Sequence, residues 1–235
     1  MPLTWDRASI KLFICRVAAH AETRNTVMEQ IDFQEVVSTP TAAFDEGLRF
    51  FAGKGMVNTT LKRIAQQLDD HGIDYAVIGA VALNQHGYRR FTEDIDILLT
   101  KEALERFHQE LVGLGYRPAF EGSRKQFRST EGNIRVEIIT TGEYPGDGLP
   151  KPVKFPEPKD VRLDIDGIKT VTLEKLIELK LASGISAPHR LKDLADVQEL
   201  IKVKQLDATF ADKLDAFVRE KYIELYQAVA QATEL

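Results

Sequence analysis

The chain has 235 residues and a mass of 26.5 kDa, room for one compact domain or a domain with a helical annex, and too little for a multidomain machine. Hydrophobic residues make up 43% and charged residues 29%, a balance that supports a buried core and excludes global disorder, a collagen-like repeat or a coiled-coil rod. Thirty-one Lys and Arg against thirty-six Asp and Glu give a net charge of -5 and a pI of about 5.6. That is the wrong sign for a general polyanion binder, so any nucleic-acid contact falls to a local patch.

The single Cys15 has no partner for an intrachain disulfide and excludes a zinc site of several thiolates, which points to a reducing cytoplasm. No apolar run approaches the ~20 residues of a membrane-spanning helix. The segment Ile10 to Ala19 is broken by Lys11 and Arg16, whereas a secretory signal needs an unbroken apolar stretch of ~7–15 residues.

In chain order, Ile10, Phe13, Ile14 and Val17 have helical spacing, Ser38-Thr39-Pro40-Thr41 interrupts, and Gly53-Lys54-Gly55 precedes Met56. The composition predicts a loosely attached N-terminal extension over 1–55, and translation from Met56 would preserve every motif below. Asn58 or Thr59 is then placed to cap a helix with Leu61, Ile64, Ala65 and Leu68 on one face, ended by His71-Gly72. Tyr75 to Ile78 reads as a buried strand ending at Gly79, and Ala80 to Gln85 as a short helix closed near His86. Asp94 to Leu99 reads as a second strand, followed by a helix capped by Thr100 and carrying Leu104, Phe107 and Leu111. Lys125 to Ser129 and Ile134 to Thr140 flank Glu131-Gly132-Asn133, a hairpin turn.

Five of the nine prolines and three glycines fall between Thr141 and Pro158, so this stretch is predicted to be an irregular surface loop. Val161 to Asp164 and Ile168 to Val171 then flank Ile165-Asp166-Gly167, a second hairpin. Thr172 is placed to cap a helix with Leu173, Leu176, Ile177 and Leu181. A further helix carries Leu191, Leu194, Val197 and Ile201, and a last one runs from about Asp207. The predicted fold is α/β with a mixed sheet: an extension over 1–55, a core over 56–158, and a hairpin plus helical region over 159–235.

Asp94 and Asp96 lie two apart on a strand, so both carboxylates project from one face while Ile95 and Ile97 point into the core. Their backbones stand ~6.6 Å apart, close enough for two carboxylates to converge on divalent ions. Such hard oxygen donors suit Mg2+ or Mn2+. An isolated Asp-x-Asp is equally compatible with a solvated strand face, and the chain carries a control: Asp164-Ile165-Asp166 repeats the tripeptide. That copy sits at an Asp-Gly turn, where Asp is favoured for backbone reasons. The first copy follows Gly79-Ala80, a strand-to-helix turn where glycine permits close backbone approach and free amides favour phosphate. Downstream, Glu137 interrupts the aliphatic run Val136, Ile138, Ile139, a costly place for a carboxylate unless it is metal-bound or paired, for example with Arg135.

Together, Gly79, Asp94, Asp96 and Glu137 resemble the signature of the nucleotidyltransferase superfamily. The stretch VIGAVALNQHGYRRFTEDIDI, Val77 to Ile97, is similar to the minimal and AbiEii-type (type IV toxin) nucleotidyltransferases with their HG...R.T.DID pattern, here carrying Arg90 and Thr92. The segment LIELKLASGISAPHRLKDLADVQELI, Leu176 to Ile201, resembles the helical region of the same group, where a helix-borne Lys precedes Arg-x-Lys-Asp-x-x-Asp. The resemblance implies a magnesium- or manganese-dependent nucleotidyltransferase in which Asp94, Asp96 and Glu137 bind metal and carry catalysis. Nucleotide binding would fall to Gly79, Ala80, Arg90, Thr92, Lys180, Arg190, Lys192 and Asp193, with Arg89 as a further phosphate-facing cation. The implied partners are a nucleoside triphosphate and an acceptor hydroxyl on RNA such as tRNA, a protein or a small molecule. The toxin likeness adds a cognate partner protein, and no membrane is implied.

Three features of the residues pull the other way. Ala80 stands where the superfamily usually has Gly or Ser, so no hydroxyl is offered to phosphate. Arg190, Lys192, Asp193 and Asp196 can pair at i,i+3 and i,i+4 along an ordinary charged helix face. Lys180 can simply cover an apolar stripe with its stem. A catalytically weak binding or regulatory member of the same fold is the corresponding alternative.

Overall fold

The computed structural model describes residues 32–233; the apolar spacing at Ile10 to Val17 and Cys15 lie outside them. Residues from Asp32 onward form one unit. It begins with α1 (Phe33–Val36), α2 (Pro40–Phe51) and α3 (Met56–Asp70). Thr39 caps α2 by accepting the Ala42 N–H at 3.3 Å, with Pro40 in the first turn. The cap of α3 is Gly55, not Asn58 or Thr59: the Asn58 side chain accepts the Gly55 N–H at 3.2 Å, and Glu46 of α2 accepts the Met56 N–H at 2.6 Å. The helix thus starts earlier because another helix supplies an acceptor for its orphan amide. A Cβ at position 55 would stand 2.9 Å from the Phe50 backbone, so the α2–α3 crossing needs glycine.

Phe33 and Phe50 are 0% and 5% exposed within the main core. Over 32–55 the chain is therefore packed on that core, in contrast to the loose attachment expected for 1–55. Phe33 and Phe50 sit on two separate helices, so their shared burial is a tertiary contact that no single sequence window shows.

Next come β1 (Ala76–Ile78), α4 (Gly79–Gln85), β2 (Asp94–Leu99), α5 (Lys101–Glu110), β3 (Tyr116–Pro118), β4 (Gln126–Ser129) and β5 (Arg135–Thr140). The irregular segment after β5 ends in the short α6 (Pro158–Val161), and β6 (Arg162–Ile165) and β7 (Ile168–Val171) form the second hairpin. The seven strands make one mixed sheet in the order β3-β4-β5-β2-β1-β7-β6, with β2 parallel to β5, β1 parallel to β7 and β1 antiparallel to β2. The sheet thus continues through β7, across the expected boundary at 158. Strand β3 went unpredicted, because three residues ending in Pro118 carry too little alternation.

The helical region comprises α7 (Leu173–Ser186), capped by Thr172 accepting the Lys175 N–H at 3.4 Å, then a 3-10 turn over Pro188–Arg190 and α8 (Leu191–Lys204). The last expected helix is split. Asp207 caps a 3-10 segment over Ala208–Lys213, Leu214 is extended, and α9 (Ala216–Thr233) starts anew. Glu178 of α7 fixes the break by accepting the Asp215 N–H at 2.8 Å.

Two apolar layers sandwich the sheet. Ile95, Ile97, Val136 and Ile138 pack with α3 and α5 on one face. Ala76, Ile78 and Leu98 pack with α4, α7, α8 and α9 on the other. Alternation along β2 therefore puts Asp94 and Asp96 on the face that carries the C-terminal helices. Among the described residues no helix is long and apolar enough to cross a membrane.

Candidate active site

The parallel register of β2 and β5 sets Asp96 opposite Glu137 and Asp94 opposite Arg135, while Ile78 of β1 pairs with Asp96 from the other side. Neighbouring strands stand about 4.8 Å apart, so β2 and β5 bring their polar side chains together beside the end of β1. Just past Ile78, Gly79 adopts φ +65°, and a Cβ there would come within 1.9 Å of the Asp96 Oδ2. The glycine is required twice, for its backbone angle and for the carboxylate it cradles.

These residues line a cavity of about 630 Å³ that also takes in Lys180, Arg190, Lys192 and Asp193. Burial, then the charges of Asp94 and Glu137, push the Asp96 carboxyl up to about 7, against the pull of Lys180 and Arg135. Thr92 donates from Oγ1 to Asp94 Oδ1 at 2.5 Å, which orients that carboxylate from behind; Thr92 itself is buried and does not line the cavity. Glu137 accepts from Arg135 Nη2 at 3.0 Å. Among the described residues no three His, Cys, Asp or Glu side chains stand closed up as a metal-ligating group. The donor set nevertheless fits a hard divalent cation. Oxygen donors predominate, and the accumulated negative charge that raises Asp96 is what such an ion would neutralise.

Lys180 reaches the cavity from a buried network of two cations and two carboxylates. Lys180 of α7, 7% exposed, donates to Asp193 Oδ1 at 2.9 Å and Asp196 Oδ2 at 2.8 Å. Arg90 Nη1 donates to the same Asp196 oxygen at 2.6 Å, and Ser183 Oγ donates to Asp193 Oδ2 at 2.7 Å. Burial pulls the Asp193 carboxyl up, but Lys180 and the Ser183 hydroxyl outweigh it and hold it below the usual range. Removing one member of such a buried network leaves an uncompensated charge, a cost of about 3–5 kcal/mol. Asp193 and Asp196 thus turn inward to Lys180 and Arg90, in place of the ordinary surface pairing along α8; Arg190 reaches Asp193 only at 3.9 Å.

Of the predicted site residues, Gly79, Ala80, Arg90, Asp94, Asp96, Glu137, Lys180, Arg190, Lys192 and Asp193 line the one cavity. Arg89 does not: it donates to the Phe51 carbonyl at 3.3 Å and lines a second cavity of about 390 Å³. Arg89 and Arg90, consecutive in sequence, thus serve different places. His86 ends α4 and bonds the Val171 carbonyl at 2.7 Å, a structural role as its position implies. Sequence reasoning missed Ser183, Asn84 and the loop residues Pro145 and Gly146. A Cβ at Gly146 would stand 2.7 Å from the Ser183 carbonyl, so this glycine lets the proline-rich loop lie directly on α7. Nothing short of the tertiary contact signals that.

Residues 13–225 match the family model described as uncharacterised nucleotidyltransferase, a span that begins well upstream of Met56. No curated protein sequence matches the chain. Among solved structures, a putative nucleotidyltransferase from H. pylori is 16% identical, with 75% of this chain and 94% of that chain covered and a TM-score of 0.42. The antibiotic-resistance factor ANT(2'')-Ia in solution is 15% identical, with 76% and 97% covered and a TM-score of 0.45. An antigenic nucleotidyltransferase-like protein from Paracoccidioides brasiliensis is 17% identical, with 61% and 74% covered and a TM-score of 0.42. With a match over nearly its whole length, the chain belongs to the uncharacterised nucleotidyltransferase family.

Proposed function

We propose that this protein is a divalent-metal-dependent nucleotidyltransferase that moves a nucleoside monophosphate from a nucleoside triphosphate to an acceptor hydroxyl. The observation that carries this reading is Asp96, cradled by Gly79, in register with Glu137 and facing Lys180 across one cavity. Asp94 and Asp96 would hold Mg2+ or Mn2+, which when bound supplies charge neutralisation on the triphosphate. Lys180, Arg190 and Lys192 offset the remaining phosphate charge. Glu137, hydrogen-bonded by Arg135, would accept the proton of the attacking hydroxyl. The acceptor oxygen then bonds the α-phosphorus in line as the bond to pyrophosphate breaks. Ala80 contributes only its backbone amide.

The AbiEii-type likeness of the sequence supports RNA such as tRNA as the acceptor, and with it a role in a toxin–antitoxin pair. Arg190 and Lys192, both exposed beside the cavity, supply a local basic rim despite the acidic pI. A second reading, a catalytically weak binding partner, is favoured by Ala80 and by the Arg135–Glu137 pair.

The test incubates the protein with each labelled nucleoside triphosphate, Mg2+ and either total RNA or cell lysate, beside Asp94→Ala. Metal-dependent label transfer lost in the variant supports the enzyme. Transfer that survives the substitution refutes the site, and no transfer from any nucleotide favours the second reading.

A further inference from the structure

Asn84, which no motif singles out, makes three hydrogen bonds from one side chain. Its Nδ2 donates to the Ala80 carbonyl at 2.9 Å and to the Arg90 carbonyl at 2.6 Å, and its Oδ1 accepts the Arg90 N–H at 3.1 Å. An amide that both donates to and accepts from one residue's backbone fixes that residue as a strand partner would. Arg90 extends from this clamp to Asp196, which is 2% exposed and shares its Oδ2 with Lys180. One chain of contacts therefore runs from the Gly79–Ala80 turn through Asn84, Arg90 and Asp196 to Lys180. It crosses from α4 and the segment before β2 to α8 and α7, and both of its ends line the same cavity.

We infer that Asn84 and Asp196 are positioning residues that set Lys180 against the carboxylate side of the active site. This rests on the nucleotidyltransferase reading for its consequence, though not for its geometry. Lysine has a long flexible stem with three donors and no preferred direction. Two carboxylates pin Lys180, and Asp196 is itself held in place by the Arg90 guanidinium. Arg90 in turn depends on Asn84, because its backbone lies in the irregular stretch between α4 and β2. Loss of the Asn84 amide frees that stretch, turns Arg90 away from Asp196 and leaves the buried carboxylate to pull Lys180 off its line.

The test has two arms. In the first, lysines are reductively methylated and read by mass spectrometry. Lys180 is 7% exposed, and the side chain of Lys151, in the proline-rich loop, is 6% exposed and serves as an internal control. Asn84→Ala is expected to raise Lys180 labelling at least about fivefold with Lys151 unchanged. Asn84→Asp, which keeps the acceptor for the Arg90 N–H but sets a carboxylate oxygen against the Ala80 and Arg90 carbonyls, is expected to raise Lys180 labelling comparably and stands in if the alanine variant does not fold. Unchanged Lys180 labelling, or an equal rise at Lys151, overturns the inference.

In the second arm, Mg2+-dependent pyrophosphate release is measured for Asn84→Ala, Asp196→Asn and the double variant. Each single change is expected to lower kcat/KM about tenfold, and the double also about tenfold, because both act through one path; independent structural damage would give about a hundredfold. A multiplicative loss overturns the inference. A wild-type protein that releases no pyrophosphate with any nucleotide refutes the proposed function, and the labelling arm still decides the positioning role.

Discussion

Asp94-Ile95-Asp96 and Asp164-Ile165-Asp166 are the same three residues in two parts of one sheet. The first occupies β2 in the middle of the sheet, with β1 and β5 on either side. The second crosses from β6, at the edge, into a turn where Asp166 has φ 54° and Asp164 Oδ1 accepts the Gly167 N–H at 2.9 Å. In the turn, carboxylates satisfy the backbone. In the central strand no turn amide needs them, and burial together with neighbouring charge raises Asp96 to about 7. Setting, not composition, turns a tripeptide into a candidate metal site.

Breaking each copy separately gives the largest expected contrast. Asp94→Ala or Asp96→Ala should lower metal-dependent label transfer by at least about a hundredfold, as removal of charge-stabilising groups does elsewhere. Asp164→Ala should leave transfer within about twofold. Equal losses at both copies would dissolve the distinction.

The adjacent glycines sharpen it. Gly79→Ala forces a Cβ into the Asp96 carboxylate at φ +65°, and is expected to cost about 1–3 kcal/mol of stability together with nucleotide binding. Gly167→Ala, at φ +79° with open space around it, should cost about 1 kcal/mol through backbone strain alone. Urea denaturation and nucleotide titration separate the two outcomes.

A smaller effect involves the link between the regions. His86, at the end of α4, donates from Nε2 to the Val171 carbonyl of β7, and burial lowers its pKa from 6.5. The folded state keeps the ring neutral while the unfolded chain takes a proton near 6.5. Stability is therefore full above that pH and falls as the pH drops below it. His86→Gln should flatten the dependence of the denaturation midpoint between pH 5 and 8 without changing its value above pH 7.5 by much. An unchanged slope would place the acid-sensitive group elsewhere. Smallest of all, Asp164→Ala should cost about 0.5–1 kcal/mol, the worth of one exposed turn hydrogen bond.

Much of the site is legible in local pattern, because strand alternation and turn chemistry act over two to four residues. Asp94 and Asp96 share a face by alternation, Gly79 marks a tight turn after a buried strand, and Thr100 and Thr172 cap their helices as placed. Other features escape local reading. The earlier start of α3 depends on Glu46 from a neighbouring helix, and the divergence of Arg89 from Arg90 depends on which helix each one meets.

The sequence by itself determined every strand but β3, the two hairpins, the carboxylate tripeptide and its family likeness, since each is written within a few consecutive residues. Tertiary structure decided that Phe33 and Phe50 belong to the main core, that Glu137 lies opposite Asp96, and that Asp196 and Asn84 tie Lys180 to the Gly79 turn. Those contacts join residues far apart in sequence. Register and helix packing bring them together, and both are set by burial of the whole chain, not by any window of it.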